Sequence, residues 1–200
     1  MDIATPSDEF KKVSFNDSSF DDLVDHLSSK IDKKVHHLCL FLGLYTPNKK
    51  KALEKLAKTL DRNVEFVDTS ELVTRIESET IENLNNFFAG LHQSDDILYF
   101  QNGDKLCGAY TGNSHSRVKY ATPEERHFLN KVKAFNGLVI MDIEEFTDAD
   151  KTLRRAAQSI VSFTLPDSII SRFFWHLKNY SLHGVELKTK RPESYMDTAP

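Results

Sequence analysis

The chain has 200 residues, of which 40% are hydrophobic and 28% are charged, and its formal net charge is −4. These values are typical of one globular domain with a single core, and the acidic balance argues against a surface that binds nucleic acid generally. The two cysteines, the Met-Asp start and the lack of an apolar run of about 18 residues lead us to expect a cytoplasmic chain without a signal sequence or membrane span.

The first 34 residues predict an N-terminal arm followed by a short helix. Residues 1–20 are rich in Ser, Asp and Lys, and their aromatic side chains are expected to dock on the domain. These aromatic residues are Phe10, Phe15 and Phe20. Residues 21–30 place apolar side chains at helical spacing and predict a short amphipathic helix.

Strand and helix patterns then alternate through residues 35–180. Apolar runs predict five strands, at 35–43, 64–68, 97–101, 137–143 and 159–165. Amphipathic patterns predict helices at 49–60, 79–91, 122–134, 148–157 and 168–180. This alternation is typical of a parallel sheet with helices on both faces, where ligands bind at the carboxyl ends of the strands. Residues 181–200 are predicted to form a C-terminal tail.

The turn after the first predicted strand has the length of a phosphate-binding loop. Of the G-x-x-x-x-G-K-[ST] pattern only Gly43 and Lys49 are present, because Asn48 replaces the second glycine and Lys50 replaces the hydroxyl residue that binds Mg²⁺. Lys49, Lys50 and Lys51 together favour either an anion at the helix start or an ordinary solvated helix face.

The strand at 97–101 ends in two amides. In a P-loop NTPase this strand end carries an Asp that holds the Mg²⁺ shell and an acid that polarises the attacking water. Gln101 and Asn102 occupy those places without charge. Losing the water-activating group alone lowers the rate by about 10²–10⁴-fold, so hydrolysis is not expected.

Several segments, taken in order, resemble motifs of AAA-family ATPases. Val67-Asp68 and residues 78–84 are similar to the second strand and the G-E-T-x-x-N-L helix start, and residues 101–104 lie at the D-E-A-D position. Residues 114–117 with Tyr120-Ala121 are similar to the S-H-D-R-Y-A segment of a bacterial subgroup that includes ATPases associated with contractile injection systems.

Two further segments complete the resemblance. Residues 137–140 are similar to the strand that leads to the family's sensor Asn, a place taken here by Glu144. Arg154 and Arg155, followed by residues 163–167, resemble the arginine-finger segment and the F-P-L-P-D exit. The resemblance implies an α/β, P-loop NTPase-like domain of AAA type over residues 35–180, with a parallel five-stranded sheet, helices on both faces and a truncated or absent helical lid.

We therefore expect a catalytically inactive AAA-like domain, a pseudo-ATPase that acts as a scaffold or regulator. The expected partner is a protein, either an intact AAA ATPase or a second copy of this chain, and no metal or cofactor is expected. Arg154 and Arg155 either act on a neighbour's phosphate or form surface ion pairs with Asp148 and Asp150.

Two alternatives remain at this point. One is a divergent nucleotide-binding ATPase that uses Lys49 and recruits Asp104 or Glu144 as its acid. The other is an Mg²⁺-independent anion or nucleic-acid-binding module at Lys49–Lys51, with weakly held nucleotide or phosphate. The acidic net charge disfavours nucleic acid as the ligand.

Overall fold

The structure is a computed structural model and describes residues 10–31, 36–44, 46–91, 96–110, 119–145 and 148–164. The strands are β1 (Val13–Ser14), β2 (His37–Leu42), β3 (Val64–Asp68), β4 (Ile97–Gln101), β5 (Ala109–Tyr110), β6 (Lys119–Tyr120), β7 (Leu138–Ile143) and β8 (Ser159–Ser162). The helices are α1 (Ser19–Ile31), α2 (Thr46–Leu60), α3 (Thr69–Leu72), α4 (Glu77–Gly90), α5 (Pro123–Ala134) and α6 (Lys151–Ala156), with a 3₁₀ turn at Gly103–Leu106. The predicted lid, the helix at 168–180 and the tail lie outside the described residues.

The main sheet is parallel throughout and has the strand order β1-β8-β2-β7-β4-β3. The five predicted strands are all present, and their ends align, so that Leu42 pairs with Ile143 and Asp68 with Gln101. The polar turns that follow these strands therefore lie side by side at the carboxyl ends of the strands. A separate antiparallel pair joins β5 and β6.

The prediction of a five-stranded sheet misses one strand. The N-terminal arm contributes β1, which pairs with β8 at the edge of the sheet. The pairing is secured by Phe15 N, which donates to Ser162 O at 3.1 Å, and by Ser162 Oγ, which donates to Val13 O at 3.0 Å. Phe15 also stacks on Phe163, with ring centroids 5.2 Å apart.

Helices cover both faces of the sheet, as predicted. Alternate side chains of each central strand enter two separate apolar clusters, as expected for a strand buried on both sides. One cluster holds the apolar stripes of α1 and α2. The other holds those of α4, α5 and α6. The sheet is thus buried on both faces, and its strands set the positions of the turns at their carboxyl ends. No helix in the ranges given above has the length and apolar character needed to cross a bilayer.

Helix α2 begins at Thr46, three residues before the predicted start at Lys49. Pro47 lies in its first turn, where its fixed φ suits a helix and its missing N–H leaves no internal hydrogen bond unmade. Lys49 is therefore part of the first turn of α2. Only residues 43–45 connect β2 to this helix.

Candidate functional site

Lys49 is buried and forms an ion pair with Asp142, a residue near the end of β7. The Lys49 side chain is 3% exposed and that of Asp142 is 17% exposed. Lys49 Nζ donates to Asp142 Oδ1 and also lies 3.3 Å from Ile143 O. The second carboxylate oxygen, Asp142 Oδ2, accepts a hydrogen bond of 2.6 Å from Tyr99 OH on β4. The ammonium, carboxylate and hydroxyl thus satisfy one another.

The pair follows from how β2 and β7 lie side by side. Gly43 N donates to Ile143 O at 3.0 Å, so the turn after β2 is fastened to the end of β7. Gly43 has φ +130°, and a Cβ there would lie 2.5 Å from Phe163 O. Packing alone therefore requires glycine at this position. The short turn leads directly into α2, whose first turn carries Lys49 back over Asp142.

Tyr99 keeps its proton in this setting. Burial, followed by the negative charge of Asp142, raises the pKa of the Tyr99 hydroxyl well above its usual range. The hydroxyl is therefore a donor to the carboxylate. The largely buried Asp142 carboxylate thus has an ammonium on one oxygen and a hydroxyl on the other.

The three lysines of the predicted cluster differ in how far helix α2 exposes them. Lys49 points inward, whereas Lys50 is exposed and Lys51 is partly exposed. Further along α2, the exposed Lys55 forms an ion pair with Asp21 of α1. The structure therefore does not bring the three ammonium groups of Lys49–Lys51 together at one point.

Gln101 and Asn102 are both exposed at the end of β4. Asn102 has a left-handed backbone, with φ 55°, and its Nδ2 donates to Asp68 Oδ1 at 2.9 Å. Asp68 also accepts from Ser70 N and so caps α3. These bonds, that from Asn102 first, lower the pKa of Asp68. Asn102 thus ties the end of β4 to the end of β3.

Glu144 and Asp104 lie next to each other after β7 and in the 3₁₀ turn. Glu144 is exposed, and its backbone N–H donates to Asp104 Oδ1 at 3.0 Å. Partial burial is the main cause that raises the pKa of Asp104, and the nearby charges of Asp148 and Glu144 act in the same direction. Among the described residues, no three His, Cys, Asp or Glu side chains come together as a metal-binding group.

Arg154 and Arg155 lie exposed in the last turn of α6. Their backbone carbonyls accept hydrogen bonds from Lys11 Nζ at 2.9 and 3.3 Å, so the N-terminal arm caps this helix. Because α6 runs back to the start of β8, the two arginines lie at the opposite end of the strands from Lys49.

Asp150 does not sit on the surface beside these arginines. It is 5% exposed, and its Oδ1 accepts from the N–H groups of Thr152 and Leu153. Asp150 is therefore the N-cap of α6, and the alternative that paired it with a surface arginine is wrong.

Asp142, which pairs with Lys49, and Tyr99, which donates to Asp142, are not among the residues predicted from the sequence. A signal was present, because Asp142 is the one charged residue in the otherwise apolar strand LVIMDI. A carboxylate in a buried strand requires a counter-ion or a hydrogen-bond donor. Which residue supplies that counter-ion or donor depends on which strands are neighbours, and the linear sequence does not show the strand order.

Comparison with known proteins identifies the fold. No family model and no curated protein matches this sequence. Among solved structures, the chain is similar to one in the E. coli MS115-1 HORMA:CdnC:Trip13 complex, with a TM-score of 0.59 and 13% identity over 82% of this chain and 67% of that one. It is also similar to the FIGL-1 AAA domain, with a TM-score of 0.55 and 15% identity over 82% of this chain and 56% of that one. These neighbours are AAA-type ATPase domains, and this chain accordingly has an AAA-type, P-loop NTPase-like α/β fold.

Proposed function

We propose that this protein is a catalytically inactive AAA-like domain, a pseudo-ATPase that acts through contacts with other proteins. The observation that carries the proposal is the ion pair between Lys49 and Asp142. The lysine at the phosphate-binding position of the fold is held by a carboxylate of its own chain.

The energy of this pair supports the proposal. For a phosphate to bind Lys49, the ammonium has to leave Asp142, which then keeps only the hydroxyl of Tyr99. Separating a buried pair in this way costs about 3–5 kcal/mol. That corresponds to a loss of about a hundredfold to several thousandfold in affinity for the phosphate.

The neighbouring positions support the same conclusion. Pro47 supplies no N–H at the start of α2, and Lys50 replaces the hydroxyl that would hold Mg²⁺. Gln101 and Asn102 have neutral amide oxygens where Mg²⁺ is usually bound through carboxylates. The Asn102 side chain also donates a hydrogen bond to Asp68, so it links the end of β4 to the end of β3.

We infer a protein partner from the surfaces that the fold still presents. Arg154 and Arg155 are exposed on a helix capped at both ends, far along the strands from Lys49. Arginines so placed suit the stabilisation of a phosphate held by a neighbouring subunit. The E. coli chain of similar fold belongs to a complex with other proteins. We propose an intact AAA ATPase, or a second copy of this chain, as the partner.

The test is the effect of this chain on a partner's hydrolysis. The chain would be purified alone and used to capture partners from its native lysate, and ATP hydrolysis would be measured for each component and for the complex. The expected result is no hydrolysis by the chain alone, and a rise in the partner's rate that Arg154→Ala with Arg155→Ala abolishes without weakening the complex. Lys55→Ala with Lys58→Ala, exposed lysines of α2, is the matched control.

Two results would contradict the proposal. The first is Mg²⁺-dependent hydrolysis by the chain alone that Lys49→Ala abolishes, since this supports the divergent ATPase. The second is a strictly monomeric chain that captures no partner and alters no ATPase rate, which favours an anion-binding module at Lys49–Lys51.

A further inference from the structure

Glu125 is a fully buried acid that forms no ion pair with any of the described residues. The residue is 0% exposed, and neither of its carboxyl oxygens has a hydrogen-bond partner. Its backbone N–H donates to Thr122 Oγ1 at 3.2 Å, as in a capping box. In that motif the Glu side chain reaches back to the N–H of the cap residue, whereas here it turns into the interior.

A second buried acid faces it. Asp150 uses Oδ1 to cap α6, while its Oδ2 is buried without a partner. The two acids are neighbours, because the side chain and the charge of Asp150 both raise the pKa of Glu125, and Gly108 lies against Asp150. A Cβ on Gly108 would lie 2.6 Å from Asp150 Oδ2 and 2.3 Å from Tyr120 O, so the chain passes tightly over the pair.

Among the described residues, no cation forms an ion pair with either acid. Apart from Asp150, the side chain that acts electrostatically on Glu125 is Arg126, which is exposed on the same helix. Gly108 presents a backbone N–H and Tyr120 a carbonyl oxygen. Two adjacent buried carboxylates without a counter-ion are unfavourable, and one proton placed between them provides both a donor and a charge reduction.

We propose that Glu125 and Asp150 share one proton, and that this proton fastens the start of α6 to α5 and to the Gly108 segment. The attachment of α6 then depends on pH. This shared proton, which we call the proton lock, is inferred from burial and geometry and does not depend on the proposed function. Because α6 carries Arg154 and Arg155, releasing the proton would loosen the helix that presents them.

The direction of the pH effect follows from linkage. Burial is the main cause, and Asp150 the next, that raises the pKa of Glu125 from its ordinary 4.5 to about 8. Between those values the folded chain keeps a proton that the unfolded chain releases, so the free energy of unfolding falls as the pH rises. Above the folded pKa the dependence ends. Burial lowers the pKa of His36, which acts in the opposite direction, so variants must be compared at each pH.

Glu125→Gln tests the lock, because the amide keeps the shape and a donor but has no proton to release. Urea midpoints would be measured for the full chain at several pH values from 5 to 9. The variant is expected to match wild type at the acid end and to exceed it at the alkaline end. Glu124→Gln, one residue earlier on the same helix, should follow wild type throughout. Equal pH dependence of wild type and Glu125→Gln would overturn the proposal.

Infrared spectroscopy provides a second, direct readout. Wild type at pH 7 should show the carbonyl band of a protonated carboxylic acid, which is absent in Glu125→Gln and retained in Glu124→Gln. Asp150→Asn keeps a capping oxygen for α6 and removes the neighbouring charge. In this variant the proton concentration at which half of the band is lost should be at least tenfold higher than in wild type. Absence of the band in wild type at pH 7 contradicts the lock. So does a rise in the wild-type urea midpoint on adding CaCl₂ that Glu125→Gln removes, because the pair would then be a cation site.

Discussion

Two polar clusters, one beneath α2 and one beneath α5, differ in how their charges are balanced. Under α2, Lys49 and Asp142 carry opposite charges, and Tyr99 satisfies the remaining carboxylate oxygen. Under α5, Glu125 and Asp150 are both acids, and three of their carboxyl oxygens are buried without a hydrogen-bond partner among the described residues. The first cluster depends on keeping both partners, and the second depends on a proton. The same substitution chemistry should therefore have opposite effects at the two sites.

Lys49→Met is expected to cause the largest change, since it leaves Asp142 buried without its counter-ion. The free energy of unfolding should fall by about 3 kcal/mol, the lower end of the range for broken buried pairs, because Tyr99 still donates to the carboxylate. Urea denaturation measures it. Lys58→Met, an exposed lysine of the same helix, should change stability by less than about 0.5 kcal/mol. A loss equal to that of the control would show that Lys49 and Asp142 do not depend on each other.

Glu125→Met should have the opposite sign at alkaline pH. Replacing a buried acid by an apolar side chain of similar length removes the repulsion from Asp150 once Glu125 has lost its proton. We expect a gain of about 1–2 kcal/mol in the free energy of unfolding at pH 9. The gain should shrink as the pH is lowered towards 5, where the folded wild type keeps its proton. Destabilisation by Glu125→Met that is the same at both pH values would contradict the difference between the two clusters.

Tyr99→Phe separates the hydroxyl's contribution from that of the ion pair. The 2.6 Å hydrogen bond to Asp142 is lost while the ring remains packed against Phe41 and Phe66. A hydrogen bond to a charged group contributes about 1.5–3 kcal/mol, so a loss of about 1.5 kcal/mol is expected by urea denaturation. Tyr120→Phe, on an exposed side chain, is the control. No loss on Tyr99→Phe would mean that Lys49 alone satisfies the carboxylate.

Asn102→Ala is expected to have the smallest effect, because both Asn102 and Asp68 lie at the surface end of the sheet. The hydrogen bond from Asn102 is the main cause that lowers the pKa of Asp68, so its removal should raise that pKa towards the usual value. An NMR titration of the Asp68 carboxyl measures the shift. Gln101→Ala should leave the pKa of Asp68 unchanged. If both variants behave alike, Asn102 does not tie β4 to β3.

The sequence predicts the sheet well because its signal is local. Val64–Asp68 and Ile97–Gln101 are strands with the bounds that their apolar runs indicate. By contrast, β1 has two residues and no periodicity, and it pairs with a strand almost at the other end of the described chain.

The candidate site is less predictable than the sheet because its contacts join residues far apart in the sequence. The ion pair of Lys49 with Asp142 joins residues 93 positions apart, and only the strand order brings them together. The pattern at Gly43 and Lys49 predicts where the fold would bind phosphate, and this stays a prediction. It did not reveal that a carboxylate of the chain lies against that lysine. Likewise, Thr122 and Glu125 have capping-box spacing, but this spacing does not show that the Glu125 side chain is buried, as is that of Asp150.

The central claim, that Asp142 withholds Lys49 from nucleotide, is tested most directly by calorimetric titration of ATP with and without Mg²⁺. Wild type is expected to give no binding heat in either condition. Asp142→Asn, which frees the ammonium, should bind ATP measurably and without dependence on Mg²⁺, and adding Lys49→Ala should remove that binding. Wild type that binds Mg²⁺-ATP more tightly than ATP alone, with the binding lost in Lys49→Ala, would contradict the account.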